Sequence, residues 1–162
     1  MSNINIYTIG VYGYSENDFF NKLMDHKIDV FIDIRRRRGM RGRKYAFVNS
    51  KYLQMRLEEI GIRYLYQKEL SPTQEIRAYQ KEEDKKAGVT KHTRNKLSQT
   101  FVDKYNEECL DKFDLNSFIY QFEQDSNILF FCVEKFPEAC HRYLVTQRLA
   151  DYPGVRIYHI IE

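Results

Sequence analysis

The residues best equipped for chemistry lie in one stretch, residues 132–142, with the sequence CVEKFPEACHR. A predicted strand ends and a predicted helix begins inside it, and free N–H groups at a helix start favour an anion and lower the pKa of a thiol. We therefore identify Cys140 as a candidate nucleophile and Glu134 and His141 as candidate proton-transfer groups. Arg142 completes the set as a candidate ligand-binding residue.

Each of these groups also has a purely structural interpretation. Cys132 lies inside an apolar strand, where a cysteine is more often an inert packing residue, and the same alternative applies to Cys140. Glu134 leaves a buried strand, so burial is expected to raise its pKa, although an ion pair with Arg35 or Arg142 is an equal alternative.

A second stretch, residues 35–44, carries seven cations in ten positions, with Gly39 and Gly42 between them. Arginine forks match phosphate oxygens, and glycine lets the backbone approach a ligand closely. Tyr45 and Phe47 follow directly and are candidates for stacking on bases. The alternative is a solvated basic loop with ordinary surface ion pairs. The predicted phosphate-binding residues are Gly10, Arg35, Arg38, Arg41, Arg43 and Arg142.

Known cofactor motifs are missing from the chain. Residues 8–13 (TIGVYG) lack the third glycine of a dinucleotide fingerprint, and no P-loop lysine follows. Cys132, Cys140, His141 and the remote His159 do not follow a recognised zinc spacing. We therefore expect no cofactor and no metal site.

Strand and helix patterns alternate along the chain and indicate an α/β fold. The predicted strands cover residues 4–11, 29–34, 62–66, 128–133 and 155–161. Such alternation predicts a Rossmann-like three-layer domain with a mainly parallel five-stranded sheet, in the order 3-2-1-4-5. The first and fourth strands then lie side by side where the winding reverses, and ligands bind at the carboxyl ends of strands at such a point. We therefore predict that Gly10, Arg35, Glu134 and Arg142 line one pocket there.

The helices are predicted from their caps and apolar spacing. Residues 71–124 contain no strand pattern and form a helical insertion before the fourth strand. The predicted caps are Ser15, Asn49 or Ser50, Ser71 with Pro72, and Asp114, and Pro137 is predicted to open the last helix. Within the insertion, Cys109 belongs to an apolar stripe with period four and is expected to be structural.

The composition is globular, with 43% apolar and 30% charged residues in 162 positions, enough for one hydrophobic core. We expect a single domain over residues 1–162. The net charge of +3 does not by itself indicate nucleic acid, so the argument rests on where the charge is concentrated. No segment resembles a signal peptide or a membrane span, which predicts a cytoplasmic protein with no membrane partner. The odd number of cysteines, three, predicts reduced thiols.

Three motifs occur in order along the chain. They are Thr8-Ile9-Gly10, Asp33-Ile34-Arg35 with the basic loop that follows, and the Cys-x-Glu-Lys-x-Pro-x-x-Cys-His-Arg pattern over residues 132–142. With these motifs the chain resembles the "domain of unknown function 488" family over nearly its whole length. The resemblance implies an α/β fold but no reaction. It also implies a shared site formed by Arg35, Arg43, Glu134, Cys140, His141 and Arg142.

Together these observations predict a protein that binds or processes a phosphate-bearing ligand such as nucleic acid or a nucleotide. Two alternatives stay open: a noncatalytic nucleic-acid-binding module, in which residues 132–142 only hold the helix against the sheet, and a protein-interaction domain with an incidental basic loop. The sequence names neither the substrate nor the oligomeric state.

Overall fold

The computed structural model describes residues 3–123 and 126–161, and within them the chain forms five β-strands and six α-helices. The strands are β1 (Ile4–Ile9), β2 (Val30–Asp33), β3 (Arg63–Tyr66), β4 (Asn127–Phe131) and β5 (Val155–Ile160). The α-helices are α1 (Glu16–Asp25), α2 (Ser50–Glu59), α3 (Gln74–Ala87), α4 (Gln99–Tyr105), α5 (Leu115–Ile119) and α6 (His141–Leu149). The α/β class is therefore as predicted, and α3, α4 and α5 fill the predicted helical insertion.

The five strands pair in parallel in the order β3-β2-β4-β1-β5. The predicted neighbours β1 and β4 do lie side by side, with Ile9 paired to Phe131. The predicted order 3-2-1-4-5 is wrong, however, because β4 lies between β2 and β1. β4 is the most apolar strand, with every residue from Ile128 to Phe131 fully buried, so the central position removes most apolar surface from water.

The sheet lies between two helical layers. The connections β1 to β2 and β2 to β3 run across the sheet in one direction, and β3 to β4 and β4 to β5 run in the other. Right-handed crossovers therefore place α1 and α2 on one face and α3 to α6 on the opposite face. The packing agrees: Arg56 of α2 lies over Phe20 of α1, and Tyr105 of α4 packs against His141 of α6. This is a Rossmann-like three-layer arrangement.

Several predicted caps are present. Ser15 Oγ accepts a hydrogen bond from the Asp18 amide (3.2 Å), and Asp114 Oδ1 accepts one from the Ser117 amide (3.0 Å). Each such bond satisfies an amide at a helix start that has no partner within the helix. Asn49 is the N-cap residue of α2, although its side chain makes no capping bond.

Two helix starts differ from the prediction. The cap of α3 is Thr73, whose Oγ1 accepts from the Ile76 amide (3.2 Å), because the Ser71 hydroxyl donates instead to the Lys68 carbonyl (2.5 Å). Pro137 opens a short 3₁₀ turn, Pro137–Ala139, and α6 begins only at His141. The start of α6 therefore falls directly on the Cys-His-Arg motif. No helix among the described residues is long and apolar enough to cross a membrane.

The carboxyl ends of β1 and β4 approach each other closely. The amides of Val11 and Tyr12 both donate to the Val133 carbonyl, at 3.0 and 3.1 Å. A Cβ atom added at Gly10 would lie 1.8 Å from the carbonyl oxygen of Glu134. Only a glycine fits at this position without moving backbone.

We expect Gly10→Ala to destabilise the protein by about 3 kcal/mol, because the new methyl group must displace backbone rather than a flexible side chain. Gly39→Ala is the control: its Cβ would meet nothing within 4 Å, so its effect should stay within about 1 kcal/mol. Urea unfolding followed by circular dichroism measures both. Equal effects of the two substitutions would show that the close approach is not a constraint.

Candidate functional site

Gly10, Arg35, Glu134 and Arg142 lie at the same edge of the sheet, at or beyond the carboxyl ends of β1, β2 and β4. Arg142 is fully buried, and its Nη1 donates to the Glu134 carbonyl (2.6 Å) and its Nη2 to the Lys135 carbonyl (3.3 Å). The same Nη1 would be 3.2 Å from a Cβ at Gly10. The side chain thus ties the first turn of α6 to the segment that follows β4.

Arg35 is engaged with Asp33 at the end of β2. Its Nε and Nη2 donate to the two carboxylate oxygens at 2.9 and 2.7 Å, and the Tyr64 hydroxyl donates to Asp33 as well (2.7 Å). The guanidinium lies 4.8 Å from the ring centroid of Phe131. Within the described part of the chain, Arg35 Nη1 has no hydrogen-bond partner. Arg35 was predicted to bind phosphate, but two of its three guanidinium nitrogens therefore already donate hydrogen bonds inside the protein.

Glu134 is 4% exposed, and its Oε1 accepts from Arg94 Nη2 at 3.0 Å and lies 3.8 Å from Lys91 Nζ. Burial raises the pKa of this carboxyl, but the charges of Lys91 and Arg94 outweigh burial and lower the pKa to about 2. The expected raised pKa is therefore wrong, and so is the expected ion pair with Arg35 or Arg142. Lys91 and Arg94 both belong to the helical insertion. No local sequence pattern predicts that the insertion contacts the end of β4.

Arg94 connects three elements and was missed by the sequence analysis. Besides Glu134, it donates from Nη1 to Asp84 (3.0 Å) and from Nε to the Ala139 carbonyl (3.1 Å). Asp84, in turn, accepts from Gln80 (2.8 Å). Asp84 and Gln80 lie on the same stripe of α3 as the buried Ile76, at a spacing of four residues. That stripe was the one available signal that Asp84 faces inward within an otherwise solvated charge run.

The segment between α3 and α4 covers this edge of the sheet. Arg94 holds this segment in place through its hydrogen bonds to Glu134, Asp84 and Ala139. The exposed His92 ring stacks on Tyr12, with ring centroids 3.9 Å apart. Tyr12 itself is buried, and burial together with the Glu134 charge raises the pKa of its hydroxyl. Glu134 consequently lies beneath a folded segment and is not open to solvent.

Two thiols and an imidazole lie together beside Glu134. Cys140 Sγ is 3.7 Å from His141 Nδ1, and the donor atoms of Cys132, Cys140 and His141 all lie within 4.8 Å of one another. His141 Nε2 donates to the Ile34 carbonyl (2.7 Å), which directs Nδ1 toward the thiols. All three cysteines of the chain are unbridged and buried, and Cys109 packs in the insertion as predicted.

The pKa values of the two neighbouring thiols are shifted in opposite directions. Burial raises the pKa of Cys140, but a hydrogen bond with Cys132 and the charges of His141 and Arg142 lower it to about 5. Burial and the same hydrogen bond raise the pKa of Cys132. The lowered pKa of Cys140 is in the direction predicted from its position at a helix start.

Some cations of the basic loop contact other residues of the protein, and others are exposed to solvent. Arg36 Nε donates to the Pro72 carbonyl (3.1 Å), and the Arg38 guanidinium lies 3.9 Å from the ring centroid of Tyr66. The remaining cations are exposed: Arg37, Arg41, Arg43 and Lys44. None of these four forms an ion pair with any residue that the structure describes.

The aromatic residues that follow the loop do not face a ligand. Tyr45 and Phe47 are both buried; the Tyr45 hydroxyl accepts from the Gly13 amide (3.0 Å), and Phe47 packs on Phe19. The predicted stacking of Tyr45 and Phe47 on bases is therefore wrong. The core gains more from burying these rings than the loop would from exposing them.

Arg94→Ala should destabilise the protein by about 3 to 5 kcal/mol, because it leaves the buried carboxylates of Glu134 and Asp84 without their shared cation. Arg148→Ala is the matched control: it removes an arginine whose pair with Asp111 is largely exposed, and it should cost less than about 1 kcal/mol. Urea unfolding at pH 7 compares them. Similar losses would contradict a central role for Arg94.

The lowered pKa of Glu134 predicts a pH-dependent stability. Because the folded-state pKa of about 2 lies below the ordinary value of 4.5, the unfolded chain binds the proton more tightly. This contribution, about 3 kcal/mol, is fully present above pH 4.5 and is lost as the pH falls toward 2. The stability difference between wild type and Glu134→Gln should shrink by that amount over this window.

Unfolding at several pH values measures the Glu134 contribution, with Asp111→Asn as the control. Asp111 is mostly exposed, so its replacement should change stability little at every pH. A wild-type to Glu134→Gln difference that stays constant from pH 6 to pH 2.5 would contradict the assignment.

Comparison of the chain with known protein families gives a match over most of its length. A family model described as Domain of unknown function DUF488 matches residues 15–149. That span runs from the cap of α1 to the end of α6 and contains the basic loop, Arg94 and residues 132–142. No curated protein and no solved structure matches the chain. The match covers most of the sequence and confirms the resemblance seen in the motifs, so the chain belongs to the family of the domain of unknown function DUF488.

Proposed function

We propose that the protein binds a phosphate-bearing ligand, such as nucleic acid or a nucleotide, through the exposed cations of the basic loop. One observation carries the proposal: Arg37, Arg41, Arg43 and Lys44 are exposed within eight residues and have no acidic partner in the described part of the chain. Ordinary surface cations are interspersed with carboxylates, as Lys85 and Lys86 are on α3. An uncompensated cluster concentrates positive potential and attracts polyanions.

The backbone of the loop is held in place, which supports a binding role. The Met40 amide donates to Asn49 Oδ1 (2.5 Å), and the Ser50 amide donates to the Arg38 carbonyl (3.0 Å). The Tyr66 hydroxyl donates to the Arg36 carbonyl (3.2 Å). A loop whose backbone is ordered before binding loses less conformational entropy when a ligand arrives.

The position of the loop supports the same proposal. It follows β2 at the edge where β1 and β4 lie side by side and the winding of the sheet reverses, the usual ligand position in such folds. Arg35 Nη1 and Arg142 Nε are buried at this edge without a hydrogen-bond partner among the described residues. Buried donors of this kind are normally satisfied by an acceptor.

Binding is favoured over a specific reaction. Glu134, with a pKa of about 2, is a carboxylate at neutral pH and a poor general acid. Cys140 and His141 are buried, whereas the four cations that carry the proposal are exposed. The proposed activity is therefore the binding of phosphate groups, and the candidate catalytic residues are assigned no step in it. The competing hypothesis of a protein-interaction domain predicts no affinity for phosphate ligands.

Binding to fluorescent duplex DNA, measured by anisotropy across a salt series, tests the proposal. If the loop neutralises about three or four phosphates, log affinity should fall against log salt with a slope of roughly −3, and single strands should give a shallower slope. Arg37→Ala, Arg41→Ala and Arg43→Ala combined should remove most of that slope. Arg36 and Arg38 are left unchanged because their side chains support the loop.

The control removes the same charge elsewhere, by Lys81→Ala, Lys85→Ala and Lys86→Ala on the exposed face of α3. It should keep the wild-type slope. Parallel measurements with RNA, a nucleotide and inorganic phosphate identify the source of the phosphate. The proposal would be overturned if the wild type bound none of these ligands at low salt. It would also be overturned if the two triple variants lost the same share of the salt slope.

A further inference from the structure

We propose that Cys132, Cys140 and His141 form a three-ligand site for a thiophilic divalent cation, with zinc as the metal that best suits this donor set. The site uses none of the exposed cations of the basic loop and does not depend on phosphate binding. Two thiolates and one imidazole are a ligand set found in catalytic zinc sites, where a fourth position stays open.

The distances fit a metal centre. With Zn–S near 2.3 Å and Zn–N near 2.0 Å, tetrahedral geometry requires the sulfur and nitrogen ligands to lie about 3.5 Å apart. Cys140 Sγ and His141 Nδ1 are 3.7 Å apart, and all three donor atoms lie within 4.8 Å of one another. Only a small contraction of the side chains is needed to bind the ion.

The imidazole is already oriented as a ligand. His141 Nε2 donates to the Ile34 carbonyl (2.7 Å), so in the neutral imidazole that binds a metal the lone pair is on Nδ1, which faces the thiols. A hydrogen bond from the second ring nitrogen to a carbonyl or carboxylate is the usual way in which a protein fixes a metal-binding histidine. The ring of Tyr105 packs against His141 and limits its rotation.

The backbone also holds the ligands firmly. Cys132 comes directly after β4, and Cys140 and His141 are the cap and first residue of α6. Arg142 fixes these two elements to each other through the carbonyls of Glu134 and Lys135. Seven residues separate Cys132 from Cys140, and this spacing is not a recognised zinc motif, because the close contact arises from the fold and not from a local loop.

Charges around the cluster suit a bound cation with anionic ligands. Metal binding displaces the remaining thiol protons of Cys132 and Cys140 to solvent, so two thiolates face the ion. Arg94, Lys91 and Arg142 balance these thiolates and the Glu134 carboxylate. The Glu134 carboxylate lies beside Cys140.

Metal titration of the full-length reduced protein tests the site. After treatment with a chelator, the wild type should take up about one equivalent of zinc in competition with a chromophoric chelator, and Co²⁺ should give thiolate-to-cobalt charge-transfer absorption. Cys140→Ser and His141→Gln should each weaken zinc binding by at least about a hundredfold, since each removes a ligand. Cys109→Ser, which replaces a buried thiol elsewhere, should bind zinc like the wild type.

Circular dichroism of each variant separates lost ligands from lost folding. For variants that do not fold, the cobalt spectrum of the wild type decides alone, because only thiolate ligands produce the charge-transfer band. Uptake below about a tenth of an equivalent, no thiolate band, or wild-type affinity in folded Cys140→Ser and His141→Gln would overturn the proposal. The triple arginine variant of the basic loop should keep full zinc binding, so the two proposals fail separately.

Discussion

The structure depends on one buried interaction, the hydrogen bonds from Arg142 to the carbonyls of Glu134 and Lys135. The guanidinium is fully buried, so these bonds form in a low-dielectric surrounding where a missing partner is costly. They fix the start of α6 against the end of β4, and Gly10 leaves the space that the contact requires. Glu134, Cys140, His141 and Arg142 all lie on these two chain segments.

Buried charge at this edge is arranged in two separate units. Arg35 and Asp33 neutralise each other at the end of β2, while Glu134 and Asp84 share Arg94, with Lys91 nearby. Each unit satisfies its charges within the protein, which is the condition for burying ions at all. The exposed arginines form a third group without such compensation, and this difference distinguishes the structural cations of the loop from those that we propose bind the ligand.

The sequence was sufficient to predict the strands and to predict which residues lie at the carboxyl edge of the sheet. Alternating patterns predicted five strands at nearly their observed bounds, and the carboxyl-end rule brought Gly10, Arg35, Glu134 and Arg142 to the same edge. The order of the strands was missed, because the apolar pattern of β4 reveals that it is buried but not between which neighbours. Arg94 was missed for a related reason: its partners Glu134 and Asp84 lie 40 and 10 residues away, and only tertiary structure brings them together.

The stack of His92 on Tyr12 and the three bonds of Arg94 also have a kinetic meaning. Together they close the segment between α3 and α4 over groups that solvent does not reach. Opening of this segment would separate Arg94 from the carboxylates of Glu134 and Asp84 in a low-dielectric interior, so we expect the segment to open slowly. If the thiol cluster holds the proposed metal ion, we expect this opening rate rather than diffusion to limit exchange of the ion, which would give it a long residence time.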